Sequence, residues 1–253
     1  MIYKKESRNR LVGWIASTLG LAAAGAFALV PASANAAVAR PMPPGQQGTV
    51  YAVTYASNSA LYTLDPGRHR ENFKGYTGAS LTDVTLRGRD LYAISFTDLY
   101  WLNPVTGASR DIGRLGFGTA NALATQPLTN TLYGADTNGK FFKVDPRTGH
   151  ATFIGSFGRG LGSAGDLTFT GGRLYATVTK NGSTETYLAT VNVRTGAAQI
   201  IGDTHYKNVY GLVTGGRALY GATFDGWFLE ISPFTGNAQA IWHDGLPIGG
   251  LAS

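Results

Sequence analysis

The sequence contains no cysteine, which excludes a disulfide framework, a thiolate metal site and a cysteine nucleophile. Charges are also scarce, 14% of 253 residues, and no run of lysines and arginines is long enough to track a phosphate backbone. The formal charge of +6 does not alter this, because Lys4, Lys5, Arg8 and Arg10 outweigh Glu6 within the first ten residues and supply half of it. Nucleic acid is not an expected partner. After residue 37 there is no apolar stretch of membrane-spanning length and no segment that keeps a helical period over three turns. What is abundant is glycine, 35 residues, set among β-branched and aromatic side chains, a composition of strands and tight turns. With 43% hydrophobic residues the chain is long enough to bury a sizeable core without covalent staples.

Residues 1–36 have the three parts of a signal peptide: a basic start, an apolar stretch from Leu11 to Val30, and a small-residue tail. Ala32-Ser33-Ala34 and Ala34-Asn35-Ala36 both fit the cleavage rule, so the mature chain is expected to begin at Asn35 or Ala37. An uncleaved anchor is the alternative, since the apolar stretch is just long enough to span a bilayer. Asn9 separates Arg8 from Arg10, which favours the general secretion route over the twin-arginine one. The expectation is a secreted, extracellular bacterial protein, free of the membrane after cleavage. Residues 37–47 read as a linker and 48–253 as the folded domain.

That domain repeats. An apolar-Tyr pair recurs at Val50-Tyr51, Leu91-Tyr92, Leu132-Tyr133, Leu174-Tyr175 and Leu219-Tyr220, in steps of 41, 41, 42 and 45 residues. This is the period of a four-stranded propeller blade. A second strand follows each pair and ends in a turn such as Asp65-Pro66, Asn103-Pro104 or Asp145-Pro146, completed by Thr106-Gly107, Thr148-Gly149, Thr195-Gly196 or Thr235-Gly236. Asp, Asn or Ser at the head of the turn bonds the backbone two residues on, Pro presets φ, and Gly takes the left-handed conformation. A third strand ends in Ile112-Gly113, Ile154-Gly155 or Ile201-Gly202. A fourth begins at Asp83, Ala122, Asp166, Gly211 and Gly250, the last copy being the C-terminus. The chain thus opens and closes in mid-repeat. The spacing predicts an all-β, five-bladed β-propeller closed by pairing of its N- and C-terminal strands, which protects the edges of an otherwise open array.

The succession Leu-Tyr, Leu-Tyr-x-Leu-Asp-Pro-x-Thr-Gly, Ile-Gly resembles the repeats of secreted bacterial β-propeller proteins, many of them uncharacterised, across residues 48–253. The resemblance implies a propeller and no particular chemistry, because the matching positions are turn and core. The repeats are also similar to those of quinoproteins, but Trp101, Trp227 and Trp242 occupy unrelated repeat positions, so no quinone cofactor is expected.

In this topology the connections from the outer strand to the next inner strand, and those between the second and third strands, share one face. These connections vary in length whereas the Pro-x-Thr-Gly turns opposite are nearly identical, which makes the variable rim the candidate for binding. Its polar and aromatic residues are Arg159, His205, Tyr206, Tyr210, Asp225, Trp242 and His243. Such a mixture suits a glycan or a protein surface, aromatic faces taking apolar groups and polar tips taking hydroxyls. Asp83 and Asp166, at the start of two inner strands, are read first as caps of neighbouring backbone amides at the channel mouth; the alternative makes them the catalytic carboxylates of a glycoside hydrolase or lyase. The four histidines occur singly, without metal-ligand spacing. No cofactor is expected, Ca²⁺ being the one cation left open, since it would take about six to eight oxygens that two carboxylates supply only with carbonyls and water. Three functions follow: a monomeric binding module for an extracellular glycan or protein, a hydrolase or lyase, or an envelope or matrix interaction protein.

Overall fold

Short apolar runs broken by turn residues form strands throughout the computed structural model, which describes residues 49–215 and 218–253. The leader and linker read from the sequence lie outside the described residues. Blade 1 contains β1 (Val50–Thr54), β2 (Ala60–Asp65) and β3 (Arg70–Tyr76). Blade 2 is β4 (Asp83–Arg87), β5 (Asp90–Ile94), β6 (Asp98–Leu102) and β7 (Ser109–Arg114). Blade 3 is β8 (Ala120–Gln126), β9 (Thr131–Asp136), β10 (Lys140–Val144) and β11 (Ala151–Ser156). Blade 4 is β12 (Leu161–Thr170), β13 (Arg173–Lys180), β14 (Glu185–Val191) and β15 (Ala198–Lys207). Blade 5 is β16 (Val209–Gly215), β17 (Ala218–Thr223), β18 (Trp227–Ile231) and β19 (Ala238–His243), and the chain ends in β20 (Ile248–Ala252).

Each blade is one antiparallel sheet, and β20 completes blade 1 in the order β20-β1-β2-β3. Its register pairs Tyr51 with Ala252, Ala52 with Leu251 and Val53 with Gly250. The inner strands β20, β4, β8, β12 and β16 touch one another in ring order, so the five-bladed propeller is closed by its two ends. Two connections are tighter than the sequence suggested: β12 begins at Leu161 and β15 runs to Lys207, leaving only 157–160 and Asn208 outside strands.

The cores lie between blades. One joins Val53, Leu61 and Ala252 of blade 1 to Val84, Leu91 and Leu102 of blade 2. Another joins Val213, Tyr220 and Phe228 of blade 5 to Val50, Ala52 and Leu251 of blade 1, across the closure. Each large apolar side chain buried this way contributes about 1.5–3 kcal/mol, so every joint is held by its own hydrophobic interface.

The recurring glycines explain themselves at these joints. The outer-strand glycine of one blade abuts the turn glycine of the next, pairing Gly75 with Gly107, Gly113 with Gly149, Gly155 with Gly196 and Gly202 with Gly236. A Cβ on Gly107 would sit 2.7 Å from the carbonyl oxygen of Gly75, and Gly107 itself holds φ +76°. The fifth joint differs. By register with Phe228, Trp242 occupies the outer-strand glycine position of blade 5, and His69, at φ +50°, occupies the turn position of blade 1. Their rings stack at 6.0 Å and 10°.

Candidate functional site

The innermost strand of each sheet has an unpaired edge facing the axis, and its buried N–H groups need acceptors. Two aspartates supply them all at one level. Asp83 Oδ1 accepts from Val84 N–H at 2.7 Å and its Oδ2 from Leu123 N–H at 2.6 Å. Asp166 Oδ1 accepts from Leu167 N–H at 2.6 Å, and its Oδ2 from Leu212 N–H at 2.6 Å and Leu251 N–H at 3.1 Å. One amide from each of the five blades is thereby satisfied. The remaining members of this layer are Ala122, Gly211 and Gly250; a Cβ on Gly250 would lie 2.7 Å from Asp83 Cα, and one on Gly211 2.6 Å from Leu251 Cγ.

Both aspartates are fully buried. Burial holds both well above the usual carboxylate range, Asp83 further so because the Asp166 charge faces it, while the amide bonds pull the other way. Asp166 accepts three amides and Asp83 two. These are the sequence's candidate catalytic residues, and the structure places them as a plug that ties the blades together.

Above the plug lies a cavity of about 240 Å³ on the variable face. Its floor is the residue preceding each layer position: Thr82, Asn121, Gly165, Tyr210 and Gly249. Its walls include Tyr55, Phe96 and Thr137, each four residues after a repeat tyrosine. Phe224 holds the same repeat position in blade 5, so three consecutive blades (5, 1 and 2) present an aromatic ring and blade 3 a threonine. Tyr55 is the hub: Phe96, Tyr210 and Phe224 meet it edge-on at centroid distances of 6.3, 6.4 and 6.1 Å. Tyr55, Phe96 and Phe224 remain 38%, 37% and 42% exposed, available to a ligand rather than consumed by packing. Burial raises the Tyr210 phenol, with the Tyr55 hydroxyl adding to it, so the ring stays neutral. Among the described residues no charged side chain lines the cavity.

The polar groups of the floor are unevenly satisfied. Thr82 Oγ1 lies 3.2 Å from both Ile94 O and Ala120 O. Asn121 Nδ2 donates to Ser163 O at 3.1 Å, yet Asn121 Oδ1 and Ser163 Oγ are buried without a partner, the two such side-chain atoms among the described residues. Buried polar atoms left in this state are unusual.

Of the seven rim residues read from the sequence, only Tyr210 lines this mouth. Asp225 and His243 meet on blade 5, where His243 Nε2 lies 3.0 Å from Asp225 O and the imidazole packs on Trp227 at 4.5 Å. Exposed His205 sits beside Asp203 at 3.8 Å on blade 4. Tyr206 packs against the core between blades 4 and 5. Arg159 is exposed at the tip of its turn with φ +55°. Trp242 belongs to the fifth joint. Tyr55, Phe96, Asn121 and Phe224 were not singled out in the sequence, although aligning the repeats four residues past each tyrosine, or one before each inner-strand start, picks them out. Among the described residues no three His, Asp or Glu side chains gather as metal ligands.

Fold and site together define a five-bladed β-propeller whose axis is sealed by a carboxyl pair beneath a recessed aromatic mouth. No protein-family profile matches the chain, and no curated protein matches it. Its fold is similar to that of a chain in the crystal structure of a nidogen/laminin complex, with a TM-score of 0.56 and 11% identity, covering 81% of this chain and 98% of that one.

Proposed function

We propose that this protein is a secreted, non-catalytic binding module that engages an extracellular glycan or protein at the mouth of its variable face. The observation that carries this reading is the saturation of Asp83 and Asp166 by five amides beneath a mouth of exposed aromatic rings. A glycosidase needs two carboxyls facing its substrate with room for water or a sugar between them. Here the carboxyl pair is spent on the backbone, and the groups that face solvent are suited to recognition. A similar fold in a nidogen/laminin complex supports binding as the role.

The test is retention of the purified protein on immobilised polysaccharides, a glycan array and extracellular protein extracts, with calcium or with a chelator. Retention is expected to be indifferent to calcium, to leave the ligand uncleaved, and to be lost in a Phe96→Ala/Tyr210→Ala variant. Release of cleaved sugar that disappears in Asp83→Asn would overturn the reading in favour of a hydrolase.

A further inference from the structure

Resting on that reading, we infer that the mouth takes a single neutral sugar ring, the terminal pyranose of a neutral glycan, end-on. Four features converge on this chemistry. At about 240 Å³ the cavity is smaller than the roughly 300 Å³ at which pockets for drug-sized molecules begin, so it admits one ring rather than a chain laid along the surface. The lining carries no charge, which leaves an acidic or basic ligand without a counter-ion. The wall is lopsided: Tyr55, Phe96 and Tyr210 cluster edge-on while Asn121, Thr137 and Gly165 complete the cavity. A pyranose is lopsided in the same way, with an apolar C–H face and a rim of hydroxyls. Finally, the polar part of the lining carries two hydroxyls and an amide, from Thr82, Thr137 and Asn121.

Sugar hydroxyls both donate and accept, so they can bond threonine hydroxyls and a side-chain amide alike, a combination that neither a hydrocarbon nor a carboxylate offers. The C–H face of the ring then lies against the aromatic side, where burial replaces water on both partners. An aromatic amino-acid side chain from a protein partner would fill the same volume but bring no hydroxyls to the polar side. The sugar is therefore the better occupant.

The experiment is ligand-observed NMR on the purified protein with methyl glycosides of glucose, galactose, mannose and N-acetylglucosamine, alongside glucuronate and N-acetyl-phenylalanine amide. At least one neutral glycoside is expected to bind. Tyr55→Ala and Asn121→Ala are each expected to weaken it at least tenfold; Asn121→Ala also loses the buried bond to Ser163 O and melts lower, and Tyr55, being exposed, serves should that variant fail to fold. Binding of the phenylalanine amide with no glycoside bound, or glycoside binding that both variants leave intact, would overturn the inference. The two readings fail separately. If no glycoside binds while Tyr55→Ala still abolishes retention of a protein partner, the sugar is wrong and the module stands. If Tyr55→Ala leaves all retention intact, the mouth is not the binding site.

Discussion

Gly250 in the last strand and Asp83 in the second blade are in such close apposition that a methyl group on the glycine would collide with the carboxyl of the aspartate, 2.9 Å from its Cγ and closer still to its oxygen. The C-terminus of the chain is thus fitted to the axial plug as well as to the sheet it completes. Replacing Gly250 by Ala is expected to destabilise the protein by about 1–3 kcal/mol, the usual cost of overpacking a filled core. Gly118→Ala is the matched control, because nothing lies within 4 Å of the added carbon there. Thermal melts of the two variants check this, and equal melting temperatures would contradict it.

The aspartate pair sets a pH dependence of definite sign. Both carboxyls titrate above their unfolded range, so the stability they confer is complete in acid and declines as pH rises through their folded values. Asp83→Asn removes one of the two raised carboxyls from this balance. Measured against the variant, the wild type is expected to lose up to about 1.4 kcal/mol per pH unit for the one proton concerned. Urea unfolding of both proteins from about pH 5 to about pH 8 gives the difference directly. A difference that does not change with pH would mean that Asp83 does not titrate above its unfolded range.

Truncating the aspartates should rank them by the amides each serves. Asp166→Ala orphans three N–H groups and Asp83→Ala two, at about 1–3 kcal/mol for each buried donor left unpaired. Asp166→Ala is expected to be the more damaging in chemical denaturation. The reverse order would point to a role for Asp83 beyond amide satisfaction.

Removal of residues 248–253 takes away β20 and with it the inner strand of blade 1. The edge of β1 is then bare and Asp166 loses the Leu251 amide. The truncated chain is expected to self-associate through that edge, visible as high-mass species in size-exclusion chromatography. A monomeric, cooperatively melting product would show that closure is not needed.

Much of this architecture was legible from repeat spacing alone. The Leu-Tyr steps gave the blade period, and the interrupted final repeat gave the closure between Val50–Thr54 and Ile248–Ala252. Turn chemistry was legible too: Asn103 Oδ1 accepts from Val105 and Thr106 N–H at 2.9 and 3.1 Å, as an Asx turn should. The site was less so, for a geometric reason. Rim residues were chosen for chemistry within loops, whereas the mouth is made where five chain segments converge on the axis, and convergence is visible only once the repeats are superposed. Trp242 lies away from the mouth: its register opposite Phe228 puts it in the joint between blades 5 and 1, the inter-blade packing that aromatics of propeller loops commonly provide. That Asp83 and Asp166 would jointly serve all five edges was beyond sequence, since it depends on how near the axis lets two side chains come.

The unlike joint between Trp242 and His69 has a bearing on how such a ring knows its own size. Four seams built from facing glycines are interchangeable in principle, and a wedge carrying one half of such a seam has no means of telling its proper neighbour from any other. An indole cannot enter a glycine seam, where not even a single extra carbon fits, so the joint between the fifth and first wedges is built on different terms from the other four. The circle thereby carries one stacked clasp beside the wedge that its two strand-forming ends share.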